Sequence, residues 1–196
     1  MMESLAAKWD RIYSQGDPAQ SEPVSVLADN AFLLPKTGTA LDMACGLGGN
    51  ARFLAAAGFA TVAWDISAVA VAKLQGIAES QGLNISARRR FIGSECFVDN
   101  QFDVIVVARF LDRALCDAII RSLKPGGLLF YQTFTRAKVS DQGPKNPDYL
   151  LNDRELLELF APLRVIYYRD NGLVGDVTAG LRNEAQLIGQ KRNVTG

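Results

Sequence analysis

The stretch Leu41-Asp42-Met43-Ala44-Cys45-Gly46-Leu47-Gly48-Gly49-Asn50 reads as the end of a buried strand, a glycine turn and the first residues of a helix. The strand spans Thr39 to Ala44, and the helix runs from Asn50 to Ala57 with Gly58 just past its end. Glycines in this place allow a tight turn and let a ligand approach the backbone closely, at the carboxyl edge of a sheet. Gly46, Gly48 and Ala51 also satisfy the G-x-G-x-x-G/A spacing of dinucleotide sites, so the glycines alone leave the ligand undecided.

Outward from the turn the chain alternates strand and helix. Phe59–Trp64 is a second strand, Ser67 can cap a helix that runs to Gln81 before Gly82, and Ile85–Phe91 is a weaker third strand. Phe102–Ala108 (FDVIVVA) is continuously apolar, as a strand covered on both faces must be. A helix from about Ala114 to Leu123 leads through Lys124-Pro125-Gly126-Gly127 into a fifth strand, Leu128–Thr133. Upstream, Leu5, Trp9, Ile12 and Tyr13 share one helical face, and a second helical pattern spans Pro23 to Leu34 before Pro35. Downstream, Asn152 and Glu155 have capping-box spacing, and Arg164–Arg169 and Glu184–Gln190 read as two strands with no helix between them. The expected fold is α/β: a Rossmann-like, doubly wound, mostly parallel seven-stranded sheet with an antiparallel C-terminal pair and N-terminal helices.

One domain fits the length, divided into an N-terminal helical cap (1–35), a donor-binding core (36–135) and an acceptor-side loop, helix and terminal strands (136–196). Twenty-one basic residues balance 21 acidic ones, so no basic stripe marks the chain for nucleic acid or an anionic membrane. The absence of histidine removes imidazole metal ligation and histidine-based triads. Cys45, Cys96 and Cys116 are too few and too scattered for a disulfide framework or a cysteine-rich metal site, so no metal is expected. No apolar run approaches the length of a membrane span, and Met1-Met2-Glu3-Ser4 does not resemble a signal peptide. A cytoplasmic location is the expectation, and the oligomeric state is undetermined.

Two acids narrow the ligand. Asp65 closes the second strand, where a carboxylate accepts both hydroxyls of a ribose, a feature common to all adenosine cofactors. Asp42 lies four residues before Gly46, where a dinucleotide would bring its anionic pyrophosphate. Two like charges about 4 Å apart oppose each other by roughly 4 kcal/mol at an effective dielectric near ~20. S-adenosylmethionine brings an ammonium and a sulfonium instead, so charge sign favours the methyl donor.

At this point LDMACGLGGN, the WDIS after strand two, FDVIVV and LKPGGLLFYQTF together resemble the class I methyltransferases. Trp9-Asp10-Arg11-Ile12-Tyr13, GPKNPDYLL and NDRELLELF are similar to the tellurite-resistance and thiopurine methyltransferase-like group. The resemblance implies S-adenosylmethionine as donor and S-adenosylhomocysteine as product. It places Asp42, Gly46 and Gly48 around the methionine, Asp65 on the ribose, Ile66 on an adenine face and Ala108 at the methionine end, with Ala44, Asn50 and Ile92 completing the donor set. Trp9 and Tyr13 would lie over the mouth of the pocket, Trp9 toward donor and Tyr13 toward acceptor, unless their helix simply packs. The chain departs from the family where an acid after strand three commonly receives the adenine amino group. Phe91 stands there, leaving Glu95, Asp99 or backbone groups for that role.

On the acceptor side the resemblance points to Arg109, Phe110 and Asp112 beyond strand four, and to Lys145 and Tyr149 in the long loop after strand five. Arg109 and Lys145 are candidates for an anionic acceptor. Asn146-Pro147-Asp148-Tyr149 imitates the Asn-Pro-x-Tyr motif of amino-methylating nucleic-acid enzymes, but it follows strand five, whereas that motif must follow strand four. The expected partner is therefore a small molecule, a thiol or a chalcogen oxyanion such as tellurite. No catalytic group is singled out, since an in-line methyl transfer to a soft nucleophile needs alignment more than a base. Two alternatives stand beside this reading: a nicotinamide-dependent oxidoreductase, and a donor-binding protein without catalysis.

Overall fold

Four residues of complete burial, Val104–Val107, set β4 (Phe102–Ala108) at the centre of the sheet in the computed structural model, which describes residues 2–193. β1 (Gly38–Met43) lies parallel beside it, followed outward by β2 (Phe59–Asp65) and β3 (Ile85–Arg89). On the other side come β5 (Leu123–Phe134), then β7 (Glu184–Gln190) and β6 (Arg164–Arg169). The order is β3-β2-β1-β4-β5-β7-β6, parallel except that β7 runs antiparallel to both its neighbours. Chain order reverses between β1 and β4, so their carboxyl ends open the crevice in which ligands of such sheets bind.

Alternation along the strands sends side chains to two layers. Leu41, Met43, Ile105, Val107, Leu129 and Tyr131 meet Cys116 and Ile119 of α5 (Cys116–Ser122) and Leu156 and Phe160 of α6 (Glu155–Leu159). On the opposite face Ala40, Val104, Val106 and Phe130 lie under Val26 and Leu27 of α2 (Ser25–Ala28) and Leu54 of α3 (Gly49–Ala56). That layer continues where Ala63 and Ile85 meet Leu74 and Ala78 of α4 (Ala68–Gln81). Each fully buried leucine or isoleucine here contributes about 1.5–3 kcal/mol.

The N-terminal helix α1 (Met2–Ser14) is fastened to α4 at both of its functional ends. The Asp10 carboxylate accepts the Ser67 hydroxyl at 2.5 Å and the Val69 N–H at 3.1 Å, which caps α4 and holds Asp10 below the usual carboxylate range. Lys73 of α4 donates in return to the carbonyls of Tyr13, Ser14 and Gly16, the unsatisfied end of α1.

Several sequence expectations need correction. Pro23–Leu34 is not one helix: α2 stops at Ala28 and a separate 3-10 turn covers Ala31–Leu33. The crossover from β3 to β4 carries a 3-10 turn at Ser94–Cys96. β3 ends at Arg89, before Phe91, and β5 starts at Leu123, which pairs with Phe102 ahead of the register shift. α6 begins at Glu155, whose carboxylate accepts the Asn152 N–H at 2.7 Å, so half of the anticipated capping box forms.

Candidate functional site

The glycine turn is built on left-handed backbone, with φ of 55° at Ala44, 51° at Gly46 and 82° at Gly48. A side chain at Gly48 would sit 2.3 Å from the Leu74 Cδ1, so this glycine lets α4 close onto the turn. Asp65, buried at the end of β2, braces the turn from one side. Its carboxylate accepts the N–H groups of Gly46 and Ser67, both at 2.8 Å, and burial raises its pKa. Those bonds leave further lone pairs on both oxygens for ribose hydroxyls.

Asp42 braces the other side from beneath. Fully buried, it accepts the Ala51 N–H at 2.9 Å and the Asn50 amide at 3.2 Å, anchoring the first turn of α3. Asn50 in turn accepts the Val24 N–H at 2.9 Å, which ties the entry of α2 to the same acid. Burial pushes Asp42 up to about 7 against the lowering influence of these two donors, and the Asp65 charge adds to the rise. Asp42 and Asn50 therefore hold the turn, α3 and the entry of α2 together.

Tyr13 lies over the glycine turn. A side chain on Gly46 would lie 2.9 Å from its hydroxyl, so the ring covers this stretch of backbone. Trp9 stacks on it with ring centres 5.5 Å apart and planes 20° from parallel. Burial and the neighbouring Asp65 charge both push the Tyr13 hydroxyl up. Ile66 and Ile92 are half-buried flanks of the region beyond Asp65, and Arg90 lies 4.8 Å over the Trp64 ring. Phe91 is 55% exposed, and Asp99 pairs with Arg121 at 3.3 Å beside the start of β4, at the edge away from the turn. Asp99 is thereby removed as a substitute for the adenine acid, and Glu95 remains.

Beyond β4, Arg109 takes a left-handed φ of 52° and donates its N–H to the Gln132 carbonyl at 2.7 Å. Its Nε pairs with Glu184 at 2.8 Å. Asp112 caps the following turn by accepting the Ala114 N–H. Phe110 is half-buried, and its carbonyl accepts the Tyr131 hydroxyl at 2.9 Å. Ala108 is half-buried at the end of β4. The loop after β5 is anchored by Arg113, which grips the Glu155 carboxylate and donates to the carbonyls of Asp148 and Leu150. Lys145 and Tyr149 stand exposed on it. Sequence reasoning missed Gln132, Glu184 and Gln186, all buried at the ends of β5 and β7. Their signal was available, as polar residues inside otherwise apolar strands.

Residues 40–127 match the model of a methyltransferase domain. The "Probable S-adenosyl-L-methionine-dependent methyltransferase TehB" of Haemophilus influenzae is 29% identical over 140 residues, which cover 67% of this chain and 48% of that protein. The chain thus spans about half the length of the curated relatives it matches. The likeness to methyltransferases falls on the glycine turn and the strands around it. The crystal structure of TehB from Haemophilus influenzae superposes on it with a TM-score of 0.70 at 21% identity, covering 94% of this chain and 67% of that one. A methyltransferase from Aquifex aeolicus gives 0.66 at 19% identity, over 95% and 97% of the two chains. The [4+2]-cyclase SpnF gives 0.62 at 18% identity, over 94% and 81%, so the fold by itself does not dictate methylation.

The charge of the site suits a cationic ligand. Two buried carboxylates, Asp42 and Asp65, flank a turn whose Gly46 leaves the backbone bare, and burial raises both. A ligand carrying an ammonium and a sulfonium would bring a compensating positive charge, while a pyrophosphate would add a further negative one.

Proposed function

We propose that the protein is a class I methyltransferase that transfers the methyl group of S-adenosylmethionine, its donor, to a small anionic acceptor held by Arg109, within the thiol and chalcogen-oxyanion class to which tellurite belongs. The observation that carries this is the guanidinium itself. It stands at the carboxyl end of the central strand, its side chain is 54% exposed, and among the described residues only its Nε is engaged. The two Nη groups can then hold an oxyanion or thiolate at two points, a geometry that lysine cannot reproduce.

In this reading the acceptor's lone pair attacks the methyl carbon in line with the carbon–sulfur bond. The bonding pair returns to sulfur, and the sulfonium leaves as the neutral thioether of S-adenosylhomocysteine. An acceptor already deprotonated needs no general base, which suits a site without histidine. The protein supplies alignment and exclusion of water: Tyr13 and Trp9 cover the donor, and the Arg113-anchored loop borders the acceptor. Lys145 and Tyr149 on that loop would close the site, Asp65 would hold the ribose, and Ile66 and Ile92 would flank the adenine. The reading divides the chain into a cap (1–35), a donor core (36–135) and an acceptor side (136–196) acting in the cytoplasm on a small molecule, with no nucleic acid or membrane partner.

The test is transfer of a labelled methyl group to a panel of thiols, thiopurines, selenite and tellurite. On the best acceptor, Arg109→Lys and Arg109→Ala should lower turnover strongly while donor affinity stays within a few-fold. Full turnover in both variants would make Arg109 a structural ion-pair partner and refute the assignment.

A further inference from the structure

The two arginines that follow β4 are treated very differently by their surroundings. Arg113 is engaged at all three nitrogens: Nε and Nη2 hold the Glu155 carboxylate, and Nη1 and Nη2 reach the carbonyls of Asp148 and Leu150. Arg109 is held by one atom only, and no partner of its Nη groups occurs among the described residues. That single atom is met by a carboxylate, Glu184, which is 5% exposed and opens β7 opposite Phe134.

Glu184 is itself fixed. Its second oxygen accepts the Gln132 side-chain amide, and Gln132 lies beside Ala108 in the β4–β5 register, directly before Arg109. The Gln132 oxygen accepts the Ser25 hydroxyl, the Val26 N–H and the Gln186 amide, at 3.1, 3.0 and 2.9 Å. Gln186 accepts the Tyr167 hydroxyl at 3.1 Å. The chain of bonds therefore joins β5, β7, β6 and the first turn of α2 to one guanidinium nitrogen. A buried carboxylate whose only cationic partner is half exposed is a poor device for stability, because its desolvation is repaid only in part. It is a good device for aiming a guanidinium, since charge-assisted bonds are short and directional. The left-handed backbone at Arg109, uncommon outside glycine, is strain of the kind held at sites where an orientation matters.

We propose that Glu184, backed by Gln132, is a positioning residue: it clamps the Nε edge of Arg109 so that both Nη groups face the acceptor. This rests on the reading of Arg109 as the acceptor-binding group. The same clamp restricts the approach of an anion to the Nη face, since the Nε face already carries a carboxylate. It also connects the acceptor arginine to the α2 segment, so that ordering of the cap and aiming of the guanidinium occur together.

The probe is selenite, titrated calorimetrically into the full-length chain saturated with S-adenosylhomocysteine. Wild type should bind it and Arg109→Ala should not. Glu184→Gln should weaken selenite by about tenfold, the loss of a charge-assisted bond's orienting effect, and Glu184→Asp by less, because the shorter acid keeps the charge. S-adenosylhomocysteine affinity should stay within about twofold in all three, since none of these groups touches the donor turn. The Arg109 Nε–H resonance should be protected from exchange in wild type and lost in Glu184→Gln, a signature that a purely structural role for Glu184 would not produce. Wild-type selenite affinity in both Glu184 variants, with Arg109→Ala inactive, would overturn this inference alone. Wild-type selenite affinity in Arg109→Ala, or no binding by wild type, would overturn the acceptor reading beneath it.

Discussion

Asp42→Asn should stabilise the protein at alkaline pH and do nothing of the kind in acid. Burial raises Asp42 from its ordinary 3.8 to about 7, so between those values the folded chain holds a proton that the unfolded chain has released. Stability therefore falls as pH rises from about 4 to about 7, and the loss is complete above the folded value. About three pKa units at 1.36 kcal/mol each give roughly 4 kcal/mol of strain carried by the ionised residue at pH 8. Asparagine carries no such strain. It keeps the bond from the Ala51 N–H but turns a donor toward the Asn50 amide, which costs about 1 kcal/mol. The net expectation is a variant about 3 kcal/mol more stable than wild type at pH 8 and slightly less stable at pH 4.5. Urea unfolding of both proteins at the two pH values measures the difference. Equal differences at both would refute the assignment of a raised, buried carboxylate beneath the turn.

The same linkage predicts that donor binding between pH 5 and 7 releases a proton, because a cationic ligand lowers Asp42. Calorimetry in buffers of different ionisation enthalpy detects it, and buffer-independent heats would contradict it. Lys73→Ala removes all three donors to the end of α1. It should raise hydrogen exchange across α1 and weaken the donor several-fold while the sheet stays protected. Gly48→Ala should cost about 2–4 kcal/mol, from a left-handed alanine and overlap with Leu74, and a second change, Leu74→Ala, should recover less than the overlap term because it opens its own cavity. Additive effects of the two substitutions would deny that they meet.

Much of this was legible in the residues. After Asp103, FDVIVVA is apolar at five adjacent positions, as a strand buried on both faces requires. Ser67 before an alanine-rich run and Gly82 after it marked both ends of α4 because capping depends on local backbone geometry. Asp42 shows where local reading stops. Its position implied a ligand, but its bonds go to Asn50 and Ala51, partners fixed only when the turn folds back. The place of Tyr13 over the turn was hidden for a similar reason, since the path of α1 is decided by Asp10 and Lys73 contacts some 57 to 60 residues away. The Arg109–Glu184 pair spans 75 residues and two strands whose antiparallel register no periodicity reveals.

The central claim is that the buried acid at the end of β2 holds the ribose of a methyl donor. Calorimetric titration of wild type and Asp65→Ala with S-adenosylhomocysteine, and of wild type with NAD, tests it directly. Wild type should bind S-adenosylhomocysteine at one site per chain and give no heat with NAD at millimolar concentration. Asp65→Ala, still folded, should bind at least about tenfold more weakly, since each charged hydrogen bond lost is worth about 1.5–3 kcal/mol. Tight NAD binding, or S-adenosylhomocysteine affinity untouched by the loss of Asp65, would contradict the account.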